Sequence, residues 1–190
     1  MLDENLVKEA RPVKAGIVNA IKGSGDIFSA VVETVTGAVA STVTGARNAG
    51  GSAIDAVSEV TRGAIAGAFE AGADLGHAAK GITVGILRGT KDTGEEALKT
   101  LSRTARTVIH LTGKVGGDLG SAARGVIQGT IHAAKDLGLD AVKAASSAAE
   151  GAMDAAEELG PVAAENVRNA LTRTIDGVKV VLKEPFAKKS

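Results

Sequence analysis

The 190-residue chain contains no cysteine, tryptophan or tyrosine, and only three phenylalanines and three prolines. Without cysteine it can form neither disulfides nor thiol-ligated zinc sites, and its redox compartment is unconstrained. With so few aromatics it lacks the bulk on which a compact core normally draws; its apolar content is mostly Ala, Val, Gly and Thr, which bury little area per residue. Net charge is absent too: 22 basic residues balance 22 acidic ones, so the basic excess of a general nucleic-acid binder is missing. The start, Met1-Leu2-Asp3-Glu4-Asn5-Leu6, lacks the basic-then-apolar layout of a secretory signal. No uncharged run matches a membrane span; the closest, Thr34 to Ala46, is short and rich in Thr, Ser and Gly. These features point to a cytoplasmic protein.

Catalytic signatures are equally sparse. No glycine-rich phosphate loop follows a strand, and no nucleophile–histidine–acid set is evident. The carboxylates are spread evenly. His77, His110 and His132 would stand about 33 and 50 Å from one another along a straight helix, so they cannot share a metal ion within the chain; they read as solvated surface histidines. The expectation is no enzyme, no cofactor and no metal.

What the chain has is a period of eleven. With Ile17 as slot a, all 38 charged residues from Arg11 to Glu184 fall in slots b, c, f, i and j. Over the same span slots a, d, e, g, h and k carry only small, apolar or hydroxyl-bearing residues, Asn and one proline, Pro12. Eleven residues make three turns at about 3.67 residues per turn, close to the α-helical 3.6. The six uncharged slots therefore cover roughly half the circumference of a helix, wider than the seam of a two-stranded coiled coil. The fold class expected is all-α: long amphipathic helices, elongated, as a helical bundle, tube or surface-lying rod rather than a compact globule. The apolar side is expected to face lipid or a partner through Ile17, Ile21, Phe28, Val32, Val35, Val39, Val43, Ile54, Val57, Ile65, Leu75, Ile86, Leu87, Leu98, Leu101, Val108, Ile109, Leu119, Ile127, Ile131, Val142, Met153, Leu171, Ile175, Val178 and Leu182.

The register does not slip across Pro161. Ordinary loops should scramble the phase, so its survival favours one long helix, or a few joined by phase-preserving corners. The chain divides into an N-terminal segment 1–13, the repeat region 14–182 and a tail 183–190.

A longer repeat is superimposed. Asp/Asn-x-Gly recurs at Asn48–Gly50, Asp74–Gly76, Asp92–Gly94, Asp118–Gly120 and Asp136–Gly138, with glycine spacings alternating between 26 and 18. The supra-repeat is 44 residues, giving copies 37–80, 81–124 and 125–168. These glycines have two readings: left-handed caps that end helices, giving an α-solenoid or bundle, or interior positions that let another backbone approach. Gly63 and Gly67, Gly81, Gly85 and Gly89, and Gly125 and Gly129 have the spacing of close helix packing. Interior glycines cost about 1 kcal/mol each relative to Ala, which predicts poor helicity until a surface or partner covers the apolar half.

The polar half is sorted as well. Slot i holds mainly bases, including Lys80, Lys91, Arg124 and Lys135; slot c holds mainly acids, including Asp74, Glu96, Asp118, Asp140 and Glu184. Parallel helices side by side would set basic edge against acidic edge, which predicts a parallel homo-oligomer. Within-helix pairs such as Arg88/Asp92 and Lys91/Glu95 are the alternative.

Thr36-Gly37-Ala38-Val39, Val43-Thr44-Gly45-Ala46 and Gly89-Thr90-Lys91-Asp92-Thr93-Gly94 resemble the 11-residue repeats of perilipin-type lipid-droplet coat proteins, and more loosely those of synucleins and exchangeable apolipoproteins. The resemblance lies in period and composition, over about residues 14–182, and implies a helix that coats a lipid monolayer and recruits other proteins. Two functions are therefore expected in competition. One is a non-catalytic protein peripherally associated with a membrane or lipid droplet. The other is an oligomeric, right-handed helical scaffold whose apolar lumen holds lipid, quinone or another apolar molecule, or which tethers an enzyme complex to a membrane.

Overall fold

A computed structural model describes residues 4–92 and 94–182, with side-chain environments from Ala10 onward. The described chain is all-α, in eight helices: α1 (Glu4–Gly23), α2 (Ile27–Asn48), α3 (Ala53–Glu70), α4 (Leu75–Thr90), α5 (Gly94–Lys114), α6 (Leu119–Leu137), α7 (Ala141–Leu159) and α8 (Pro161–Leu171). The tail 183–190 with Glu184, the first three residues of segment 1–13, and Thr93 of the Asp92–Gly94 motif lie outside the described residues.

Each helix starts and stops for a local reason. Asp26, Ser52, Asp74, Asp118 and Asp140 sit in extended backbone at N-caps, where their side chains accept hydrogen bonds from the first-turn amides, such as His77 N–H to Asp74 at 2.8 Å and Ser121 N–H to Asp118 at 2.8 Å. Four helix ends share one closing bond, from Gly51 N to Ala46 O, Ala73 N to Ala68 O, Gly117 N to Thr112 O and Leu139 N to Ala134 O, at 2.7 to 2.9 Å. The residue before each donor is a left-handed glycine, as the Schellman motif requires: Gly50, Gly72, Gly116 and Gly138. Gly160 lies at φ 123 and is followed by Pro161 in the first turn of α8, where a missing N–H costs nothing.

The helices form two rows. In one, α1 packs on α3, α3 on α5 and α5 on α7; in the other, α2 packs on α4, α4 on α6 and α6 on α8. Neighbours within a row run parallel: Gly81, Gly85 and Gly89 of α4 face Val31, Val35 and Val39 of α2 in the same order. The shared core is built of Ala, Val, Ile and Leu from all eight helices and from Ile175, Val178 and Val180 beyond them.

Long helices are not what the chain forms; from the end of α2 to the start of α8 the breaks come every 22 residues, and only the α1–α2 turn at 24–26 is out of step. The positive-φ glycines between helices, Gly50, Gly72, Gly94, Gly116, Gly138 and Gly160, all occupy slot a; Gly177, in the tight turn beyond α8, does not. Between them, slot a holds the buried residues Thr61, Thr83, Ala105, Ile127, Ala149 and Leu171. Helix plus turn equals two elevens, so each new helix restarts in register although the turn itself advances by no helical step. Pro161 leaves the phase intact for the same reason, while opening a new helix. The 44-residue repeat is one pair of helices, and the copy boundaries at 37, 81 and 125 cut through α2, α4 and α6. The repeat region to 182 ends in non-helical chain: beyond Leu171, Ile175 and Val178 exchange both backbone hydrogen bonds across a tight turn.

Candidate interaction surfaces

The residues expected to face lipid or a partner are turned inward, against other helices of the same chain. All are buried except Phe28, Ile54, Leu98, Leu119 and Leu182, which are partly covered, and Val142, which is exposed. The chain thus covers its own apolar half.

The paired glycines stand where helices of one row touch. A Cβ on Gly63 would meet Val13 Cβ at 2.9 Å, and on Gly67 Ile17 Cβ at 2.9 Å, both on α1. On Gly81, Gly85 and Gly89 it would meet Val31, Val35 and Val39 of α2 at 3.0, 2.8 and 2.7 Å. Gly125 and Gly129 of α6 lie against the backbone of Gly76 and Lys80 in α4.

The Asp/Asn-x-Gly motif does two jobs in alternation. In Asp74–Gly76 and Asp118–Gly120 the acid is an N-cap and the glycine lies in the first turn. At Gly50, Gly94 and Gly138 the glycine is left-handed at a turn. The 26/18 spacing is the alternation of these two uses.

The edge residues are placed differently from a continuous basic-to-acidic seam. Asp74, Asp118 and Asp140 cap helices, and Glu96 lies in the first turn of α5. Lys80 lies over the Phe28 ring, 5.1 Å from its centroid, and Lys91 is a left-handed C-cap. Arg124 lines a shallow recess of about 290 Å³ with Asp74, His77, Lys80, Ser121 and Gln128, and Lys135 is exposed in the last turn of α6. The ion pairs that join neighbours in a row use other residues: Lys14–Glu70 at 2.5 Å, Arg88–Asp136 at 2.9 Å, and Arg106 with Asp154 at 3.6 Å and with Glu158. Their spacings of 48 to 56 residues were the sequence signal for them, readable only once the row register is known. The within-helix pairs Arg88/Asp92 and Lys91/Glu95 do not form, because α4 ends at Thr90. Asp92 instead accepts from the Thr100 hydroxyl at 2.7 Å.

Several titrating groups are tuned by these contacts. The His77 amide and side chain hold the Asp74 carboxyl below the usual range; Arg88 does the same for Asp136, and Lys14 for Glu70. Burial, with Lys114 nearby, pushes His110 down. His77 Nδ1 lies 2.7 Å from Asp74, and His132 is 3.6 Å from Asp136 with its ring edge on Phe28. Among the described residues no group of three or more His, Cys, Asp or Glu converges as a metal site would.

Two surfaces stand out. A groove of about 900 Å³ runs between α1, α2 and α3, lined by Pro12, Thr34, Ala38, Thr42, Ala46 and Ala56 among others. Beside it α2 carries its outward flank. By length and composition α2 could cross a membrane, with a mean hydropathy of 1.4. Much of that apolarity comes from Val31, Val32, Val35, Val39 and Val43, which are buried. These features define a helical-repeat stack with an open groove at its first helices. No protein-family model matches the chain, and no curated protein matches it.

Proposed function

We propose that this is a non-catalytic amphipathic-helix protein that associates peripherally with a lipid surface. It stores its 11-residue-periodic face inside the two-row stack and turns it outward where a lipid–water boundary takes the place of the neighbouring helices. The observation that carries this reading is the chemistry of the interior. The hydroxyls of Thr104, Thr112 and Thr130 are buried and find no hydrogen-bond acceptor among the described residues. A buried, unpaired hydroxyl costs on the order of 1–3 kcal/mol, so Val would serve a permanent core better. An amphipathic helix on a lipid surface sinks its apolar face only about 5–10 Å, to the headgroup–acyl boundary, a shallower and wetter setting for these hydroxyls than the closed core, even for Thr112 and Thr130 at the centre of that face. A face of Ala, Gly, Val and Thr holds helices together weakly per residue, which suits exchange of helix contacts for lipid contacts. The balanced charge supports binding to neutral as well as anionic lipid.

A second reading, the oligomeric scaffold, is favoured by a different observation: the uncovered flank of α2. On that reading the chain carries an apolar cargo or tethers a partner complex through assembly of copies.

The test uses Phe28→Trp as a single fluorescent reporter in a chain without other Trp. With phosphatidylcholine vesicles or a triacylglycerol emulsion, flotation and quenching by brominated acyl chains are expected, with helicity retained. A folded protein that neither floats nor is quenched with any of these surfaces sinks the lipid reading.

A further inference from the structure

We propose that the chain forms a two-fold symmetric dimer through α2, with the two helices antiparallel about Ala40 and Glu33 of each copy paired with Arg47 of the other. This does not rest on lipid association. The first support is the internal repeat. Gly37 and Ser41 of α2 stand 44 residues before Gly81 and Gly85 of α4, and 88 before Gly125 and Gly129 of α6. In α4 and α6 these positions are filled by the preceding helix of the row, so closely that a Cβ on Gly85 would lie 2.8 Å from Val35 Cβ. Among the described residues the same face of α2 has no preceding helix of its row, and none of them lies within 4 Å of a Cβ built on Gly37. The first helix of the row thus keeps the shape of a helix-receiving face and leaves it open.

The second support is charge, and it selects the occupant. Along the exposed flank the residues at helical spacing are Glu33, Gly37, Ala40, Thr44 and Arg47, all exposed. The only two charges of α2 are Glu33 and Arg47, one at each end of this stripe. They lie seven residues either side of Ala40, about 21 Å apart along the axis. A parallel second copy would set Glu33 against Glu33 and Arg47 against Arg47. An antiparallel copy sets each against its opposite, twice. Glu33 makes no ion pair among the described residues. Arg47 is only loosely engaged, 3.9 Å from Asp92 with most of its side chain exposed. The small residues between the charges permit an interaxial distance near 8 Å, the close end of the usual range.

The experiment uses the full chain. Sedimentation at rising concentration is expected to show a monomer–dimer equilibrium. Because the protein has no native cysteine, Ala40→Cys should oxidise to a disulfide-linked dimer, whereas Lys143→Cys on the exposed side of α7 should not. Glu33→Arg or Arg47→Glu alone turns two attractions into two repulsions and should weaken the dimer about tenfold; the double reversal should restore it. Circular dichroism of each variant verifies the fold. A monomer at all concentrations overturns the proposal, and so does growth beyond the dimer. So does a dimer that Ala40→Cys fails to link, or one indifferent to the single charge reversals.

Discussion

At the scale of the residue, one amino acid type plays opposite energetic parts according to what stands opposite it. Gly85 faces Val35 across the α2–α4 contact, with Cβ–Cβ room of only 2.8 Å. Gly45, in the outer part of α2, faces none of the described residues within 4 Å. Alanine at either site gains up to about 1 kcal/mol of helix propensity. At Gly85 the added methyl must also push two helices apart, an overpacking cost of about 1–3 kcal/mol. Gly45→Ala should therefore raise the denaturation midpoint, and Gly85→Ala should lower it. Urea titrations of the two variants check this; equal shifts of the same sign would contradict the packing assigned to the α2–α4 face.

At the scale of the element, caps and row contacts carry the response to acid. His110 is pushed below the ordinary histidine value of about 6.5, chiefly by burial. The fold therefore prefers the neutral ring. Its contribution is fully present above about pH 6.5 and is lost as the pH falls through that value toward the folded one. Asp74, Asp136, Glu70 and Asp26 are held below their ordinary range by hydrogen bonds made only in the fold. Their contribution persists above about pH 4 and is lost on further acidification. Melting temperature against pH should fall in two stages, and His110→Gln should flatten the first alone. A variant that still loses stability between pH 7 and 5 as the parent does would refute the assignment to His110.

Much of each helix could be read from the sequence. Nearly all the charged side chains are solvated, but their five slots are not one solvated face: Gly81 and Gly85, in slots j and c, are buried against α2, and Val84, in slot b, is buried too. The helix-packing spacing of Gly81, Gly85 and Gly89 also marks real close approach. The helix ends were hidden by their own regularity. A left-handed glycine such as Gly72 and a core residue such as Thr61 share slot a, because from α3 to α7 turn and helix together measure two elevens. The ion pair Arg88–Asp136 was hidden for another reason: it depends on how far α6 slides along α4, and no local pattern records that offset.

At the scale of the whole molecule, the two-row stack changes what the apolar half means. An isolated rod would need lipid or other chains to cover that half, whereas here parallel helices of one chain cover one another. Successive helices of a row pack side by side and are joined by Lys14–Glu70, Arg88–Asp136 and Arg106–Glu158, none of which sets a slot-i base against a slot-c acid. Any lipid association then draws on the difference between two sets of contacts for the same face. Helix content would change little in that exchange, whereas the neighbours of Phe28 would change completely.

The constant 22-residue step also makes chain length a quantity that can change only in certain increments. Excising residues 81–124 joins Lys80 to Gly125, a junction of the same kind as Arg124–Gly125, and fuses the start of α4 to the end of α6. Such a shortened protein should still fold cooperatively, with one helix fewer in each row. Excising only eleven residues, 81–91, would leave every charge in its slot yet bring later turn glycines to positions where the rows need a buried side chain. Thermal melts of the two deletions should separate them, the first sharp and the second broad or absent. Gene-level slippage in this chain would accordingly be tolerated by the helix pair and rejected by the half-step.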